Sequence, residues 1–165
     1  MNVLKGGSFT LYIFLIFFIF SCEKTKAPVP IEYGIDKCDY CQMKIMDDRY
    51  GSELVTSTGK VYKFDSVECL AGFYLKNKEK IKIHSLWVTD FQEKKLIPAE
   101  RALYLHSKDL PSPMGMNLSA FKTKEELDKV KVKYGGKILK WEDVLKLVKE
   151  KWLNNKHNHK HMMHM

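Results

Sequence analysis

The sulfur chemistry of this chain concentrates in one short stretch, Cys38-Asp39-Tyr40-Cys41 followed by Gln42-Met43. Three chemistries use such a CxxC pair. A redox dithiol sits at a strand-to-helix junction of a βαβ unit, but the residues upstream of Cys38 form a proline-containing polar stretch. A structural zinc site takes four Cys or His ligands. No second pair with suitable spacing is present, so Cys69 and His84 would have to complete it. Copper(I) is soft and favours thiolate and thioether. Cys41 and Met43 supply one of each, and in an extended segment residues two apart project to the same side. The motif alone leaves all three open.

A second group of soft ligands closes the chain. His157-Asn158-His159-Lys160-His161-Met162-Met163-His164-Met165 mixes imidazole, which suits copper(II), with thioether, which suits copper(I). Residues 154–165 read as a disordered tail that recruits metal and leaves the principal site to the body. Met114 and Met116 follow Pro111 and Pro113. Methionine beside a strand is more often core filler than ligand, so on residue type alone both read as packing residues. His84 and His106 read as packed or exposed strand residues. No Ser/His/Asp order, phosphate loop or HExxH is present, so no enzyme is expected.

The N-terminus points to export. Nearly every residue from Phe9 to Phe20 is large and apolar, Lys5 precedes the run, and Ser21-Cys22 ends it. The run is shorter than the roughly 20 residues of a spanning helix and matches a secretory signal peptide. A small residue directly before a cysteine is the mark of a lipoprotein cut site. Residues 1–21 are therefore expected to be the signal peptide and Cys22 the lipidated residue. The acyl chains would hold the protein on a bacterial membrane, facing the periplasm. Pro28 and Pro30 among polar residues make 22–37 a tether. Three cysteines then remain, an odd number for an exported protein, so at least one thiol is free or bound to metal. The net charge of +8 raises the question of nucleic acid; export and the alternation of lysines with acids on helix faces argue against it.

The elements that must position the sulfurs follow from patterning. Ser52–Thr58 and Val61–Phe64 read as a hairpin about Gly59-Lys60. Asp65-Ser66 starts a helix with Val67, Leu70, Ala71, Tyr74 and Leu75 at helical spacing. Strands are expected over 81–91, 101–106, 116–121 and 138–141. Thr123 and Glu126 form a capping box, and 142–152 is a last helix. Gly59–Val67 lines up with Gly136–Val144, and Tyr50–Leu54 echoes Met114–Leu118. The expected fold is α+β, with two pseudo-repeated β-rich subdomains each carrying a helix, residues 38–98 and 99–153.

The CxxC-Gln-Met-Lys-Ile stretch, Gly59–Asp65, Cys69 and the Pro113-Met114-Gly115 loop leading to Ala120-Phe121 together resemble the NosL family of copper-chaperone lipoproteins. The resemblance runs from about Cys38 to about Trp152. Its most specific element is CxxCGM; this chain has Gln42 where the family usually has Gly. The resemblance implies a tandem of two small β-rich subdomains. It also implies copper(I) held by Cys41 and Met43 first, Cys38 close behind, and Met114 as a further ligand across an interdomain cleft. Met116 and the tail residues His157, His159, His161, Met162, Met163, His164 and Met165 are secondary metal candidates. The family link is to assembly of nitrous oxide reductase, so the implied acceptor is a transporter-like assembly factor or the apo-reductase. Zinc stays possible at a thiolate site. The rival functions are an exported thiol-disulfide oxidoreductase using Cys38 and Cys41, and a copper storage or resistance lipoprotein centred on the tail.

Overall fold

The computed structural model describes residues 26–154. The expected signal peptide, Cys22 and the His/Met run from His157 lie outside them. Among the described residues no helix is long and apolar enough to cross a membrane.

Strands β1 (Ser52–Thr56) and β2 (Val61–Phe64) form the expected hairpin. Helix α1 (Val67–Asn77) starts where Ser66, in extended conformation, accepts the Cys69 N–H. This satisfies one of the donors that a helix start leaves free. Strand β3 (Ile83–Thr89) returns along the other side of β1, and β4 (Leu96–Pro98) adds an edge, giving the antiparallel order β2-β1-β3-β4. After one 3₁₀ turn at Ala99–Arg101 the second unit begins. Its strands β5 (Leu103–His106), β6 (Leu118–Phe121) and β7 (Lys137–Leu139) take the order β6-β5-β7. Helix α2 (Lys124–Tyr134) lies between β6 and β7, and α3 (Trp141–Val148) runs on into a wider π-type turn, Lys149–Asn154. Between α2 and β7 the chain needs glycine. Gly136 has φ of 108°, and a Cβ there would meet the His106 carbonyl oxygen at 2.6 Å.

The fold is α+β. The repeat is present, but in a different register from the one expected. In each unit the first strand is central and pairs antiparallel with the second and third, in the sequence strand, strand, helix, strand. That equates β2–α1 with β6–α2: Phe64 matches Phe121, Ser66 matches Thr123 as helix cap, and Leu70 matches Leu127, all buried except Thr123. Gly136–Val144 instead builds β7 and the start of α3. It resembles Gly59–Val67 only because both are a turn, a short strand and a helix start.

Two further boundaries differ. The packed chain begins upstream of Cys38. The Val29 N–H donates to the buried Glu53 carboxylate at 3.0 Å, and Ile31 and Tyr33 pack over Gly51. Met116 precedes β6 rather than opening it. The two units share one main core. Alternate residues of β5 face opposite ways. Tyr104 therefore joins Leu54, Leu70 and Trp141 in the main core, while Leu105 joins Phe121, Leu127 and Val130 in a smaller one. The sheets are also tied by Phe91 N–H to the Ala120 carbonyl, 2.8 Å, and Lys122 N–H to Asp90, 2.7 Å.

Candidate metal centre

The CxxC segment folds back on itself. Lys37 and Lys44 form a β-bridge, the Cys38 N–H donates to the Met43 carbonyl at 2.8 Å, and the Ile45 N–H donates to that of Asp36 at 3.0 Å. Between the bridged residues, Asp39–Cys41 make a turn that opens no helix, unlike a thioredoxin-type dithiol. The return is made at Gln42, whose φ is 67°. This is the left-handed region where glycine is least strained.

Hydrogen bonds fasten this turn to the free edge of β2. The Asp39 N–H donates to the Lys63 carbonyl, and the Lys63 N–H donates to the Asp39 carboxylate, each at 2.8 Å. The Lys63 ammonium bonds Asp36 at 2.6 Å. One strand residue later the chain reaches Asp65, Ser66 and the first turn of α1. Docking on β2 therefore brings Cys38 and Cys41 up to Asp65 and to Cys69, the third residue of the helix. Tyr40 fixes the other side of the turn. Its ring lies where a Cβ on Gly72 of α1 would sit, 2.9 Å from the nearest ring atom, and stacks on Trp152 at 6.0 Å and 4°.

The result is a compact donor set. The Sγ atoms of Cys38, Cys41 and Cys69 and an Asp65 carboxylate oxygen all lie within 4.8 Å of one another. Cys38 and Cys69 are buried and Cys41 half-buried, and all three are free thiols. The Cys41 thiol points at Asp65 Oδ2, 3.6 Å away. Asp65 Oδ1 is buried and has no hydrogen-bond partner. A buried acceptor left unpaired is costly, and a bound cation would satisfy it.

The thiols differ sharply in proton affinity. Cys38 is drawn down to about 6, chiefly because the Cys69 thiol donates a hydrogen bond to it, with backbone N–H support including Cys41. Cys41 is pushed up to about 11, first by burial, then by the negative charge of Cys38 and Asp65. Cys69 is pushed up strongly, because its proton is shared with the Cys38 thiolate and the group is buried. The cluster thus favours a thiolate at Cys38, while Cys41 and Cys69 hold protons that a bound metal must displace. Three sulfurs and a carboxylate suit copper(I) through the sulfurs and also satisfy the four-coordinate demand of zinc.

The other candidate residues lie in different settings. Met43, at the mouth of the turn, is 49% exposed. Met114 is half-buried against the main core, in the loop that docks on the first turn of α1. Met116 is buried as packing. His84 is exposed on β3 and outside the cluster, so it does not complete a zinc site with the cysteines. Asp65 was legible as part of a helix start and Cys69 as one possible completion of a zinc site, and both lie in the stretches that carry the family resemblance, but neither stood among the expected copper ligands. The available signal was Ser66 capping at Cys69, which sets the thiol at a helix N-terminus, where the helix dipole favours anions.

A family model for NosL matches residues 28–148. The copper-binding lipoprotein NosL of Stutzerimonas stutzeri is 25% identical over 159 residues, covering 87% of this chain and 84% of that protein. The crystal structure of the copper chaperone NosL from Shewanella denitrificans superposes with a TM-score of 0.61 at 23% identity, over 72% of this chain and 95% of that one. It has the same fold.

Proposed function

Because the chain belongs to the NosL family, we propose that it is a copper(I) carrier, held at a bacterial membrane by lipid on Cys22 and facing the periplasm. The observation that supports this best is the convergence of Cys38, Cys41, Cys69 and Asp65 within 4.8 Å. Cys41 is the thiolate ligand at the surface, with Cys38 close behind and Cys69 and Asp65 beneath. Met43, exposed beside Cys41, adds a neutral thioether that an acceptor can displace. Met114 supplies a further thioether from the second unit. Such a site passes metal by ligand exchange: an incoming thiolate or thioether bonds copper(I) as Met43 leaves, and no free ion is released. The acceptor is a transporter-like assembly factor or apo-nitrous oxide reductase. The chain catalyses no reaction. The His/Met tail recruits metal, and zinc competes for the same sulfurs.

The test is an anaerobic copper(I) titration of the reduced protein against a competing chelator. It compares wild type, Cys41→Ala, Met43→Ala and a chain lacking residues 157–165. One tight equivalent that survives tail removal and is lost or weakened in the point variants is expected. Tight binding that persists in both point variants and leaves with the tail would place the metal outside the body and favour storage.

A further inference from the structure

Glu68 has a role that binding by sulfur does not explain. It is the second residue of α1, between Asp65 and Cys69, and is fully buried. Its Oε1 accepts two hydrogen bonds from the second unit, from the Ser112 hydroxyl and from the Met116 N–H at 3.2 Å. Its Oε2 is buried with no partner. A lone carboxylate in that position is expensive, and burial raises its proton affinity to about 7. The main core already spans both units through Leu70, Tyr104 and Trp141, so holding the units together does not require it.

What Glu68 grips is the loop that carries Met114. Ser112 and Met116 bracket Met114, and both land on the same oxygen. The Ser112 hydroxyl also accepts the Asn117 N–H at 2.8 Å, and the Gly115 N–H donates to the Ser112 carbonyl at 3.0 Å. Gly115 and Asn117 have φ of 75° and 61°, so the loop is tightly wound. Tyr50 secures its start through a 3.0 Å bond to the Pro111 carbonyl. The loop is thereby pinned to the helical turn that bears Cys69, with Met114 at its tip.

We propose that Glu68 is a positioning residue that fixes the Met114 thioether relative to the thiol cluster. It transmits the geometry of the first unit's helix to a ligand borne by the second. This rests on the reading of Met114 as a copper(I) ligand. Groups that orient a ligand without touching the metal typically account for about 10–100-fold in metal affinity.

The test is a double-variant cycle of copper(I) affinity on the full chain in detergent, reduced and anaerobic, with thermal unfolding of the metal-free protein alongside. Met114→Ala and Glu68→Ala should each weaken copper(I) by about tenfold, and the double variant should be no weaker than either. Glu68→Gln keeps a carbonyl oxygen for Ser112 and Met116 and should restore most of the affinity. Should Glu68→Ala fail to fold, Ser112→Ala removes one of the same bonds from the loop side and should show the same dependence on Met114. A purely structural Glu68 would lower the unfolding midpoint and leave copper(I) affinity unchanged, or weaken it equally with and without Met114; either overturns the proposal while leaving Met114 a ligand. If Met114→Ala alone has no effect, the ligand reading fails and this inference falls with it.

Discussion

Replacing Cys69 by alanine should change the acid–base behaviour of Cys38, not only the number of sulfurs. The Cys69 thiol donates to Cys38, and that bond is the leading reason Cys38 titrates at about 6 instead of near 9.0. At pH 7 a thiol at about 6 is roughly nine-tenths thiolate, whereas one near 9 is roughly one-hundredth thiolate. Without Cys69, metal binding at Cys38 must first remove a proton at a cost of about 3 kcal/mol, or about 100-fold in affinity at neutrality. The assay is ultraviolet thiolate absorbance against pH in the reduced, metal-free protein, with Cys38→Ala assigning the step. Cys69→Ala should move the lowest thiol transition up by about two or more units. Cys69→Ser retains an O–H donor and should hold the transition below 9.0, while still losing a soft ligand. A depressed acid stabilises the fold above its unfolded pKa and ceases to do so as pH falls through its folded value. Wild type should therefore lose this contribution as pH drops through about 6, and Cys69→Ala should lack it. A Cys38 transition that stays near 6 in Cys69→Ala would show instead that the backbone donors suffice without the Cys69 thiol.

Three other outcomes follow from the geometry around the cluster. Gly72→Ala puts a methyl 2.9 Å from the Tyr40 ring; overpacking of about 1–3 kcal/mol outweighs the roughly 1 kcal/mol that Ala gains in a helix, so chemical denaturation should show a net loss that becomes a gain in the Tyr40→Ala background. Gln42→Gly relieves a left-handed residue at φ 67°; that strain of about 1–2 kcal/mol exceeds the added unfolded-state entropy of glycine, so stability should rise by about 0.5–1 kcal/mol with copper(I) stoichiometry unchanged. Glu53 is held up to about 7 by burial; an acid whose folded pKa is raised stabilises fully below its unfolded value and less as pH climbs through the folded one, so from about pH 5 to pH 8 Glu53 weakens the metal-free protein, as Glu68 does and against the opposite contribution of Cys38, and Glu53→Gln should lose less stability than wild type over that range.

Much of the local structure was legible because its causes are local. Gly59 and the alternation on either side of it specify a hairpin. Ser66 and Thr123 mark helix starts because their hydroxyls accept the N–H three residues on. A duplicated unit was also legible, but its register was not. A turn, short strand and helix start look alike wherever they occur, and only pairing partners distinguish β2 from β7. That packing begins upstream of Cys38 was not legible, because Val29, Ile31 and Tyr33 gain their places from Glu53 and Gly51, residues that lie far along the chain.

The sulfur inventory, the CxxC spacing and the elements on either side can be read from the order of residues alone. Tertiary structure decided which of those sulfurs share a site. Cys38 and Cys41 reach Asp65 and Cys69 because the CxxC turn adds to the edge of β2, with the Asp39 N–H on the Lys63 carbonyl and the Lys63 N–H on the Asp39 carboxylate. The first is a main-chain hydrogen bond open to almost any residue, and the second joins a carboxylate to an N–H 24 positions along the chain, so local pattern announces neither. Glu68 illustrates the same limit: it stands in the sequence as an ordinary acidic residue of a first helical turn, and only the arrival of Ser112 and Met116 from the second unit makes it a buried clamp.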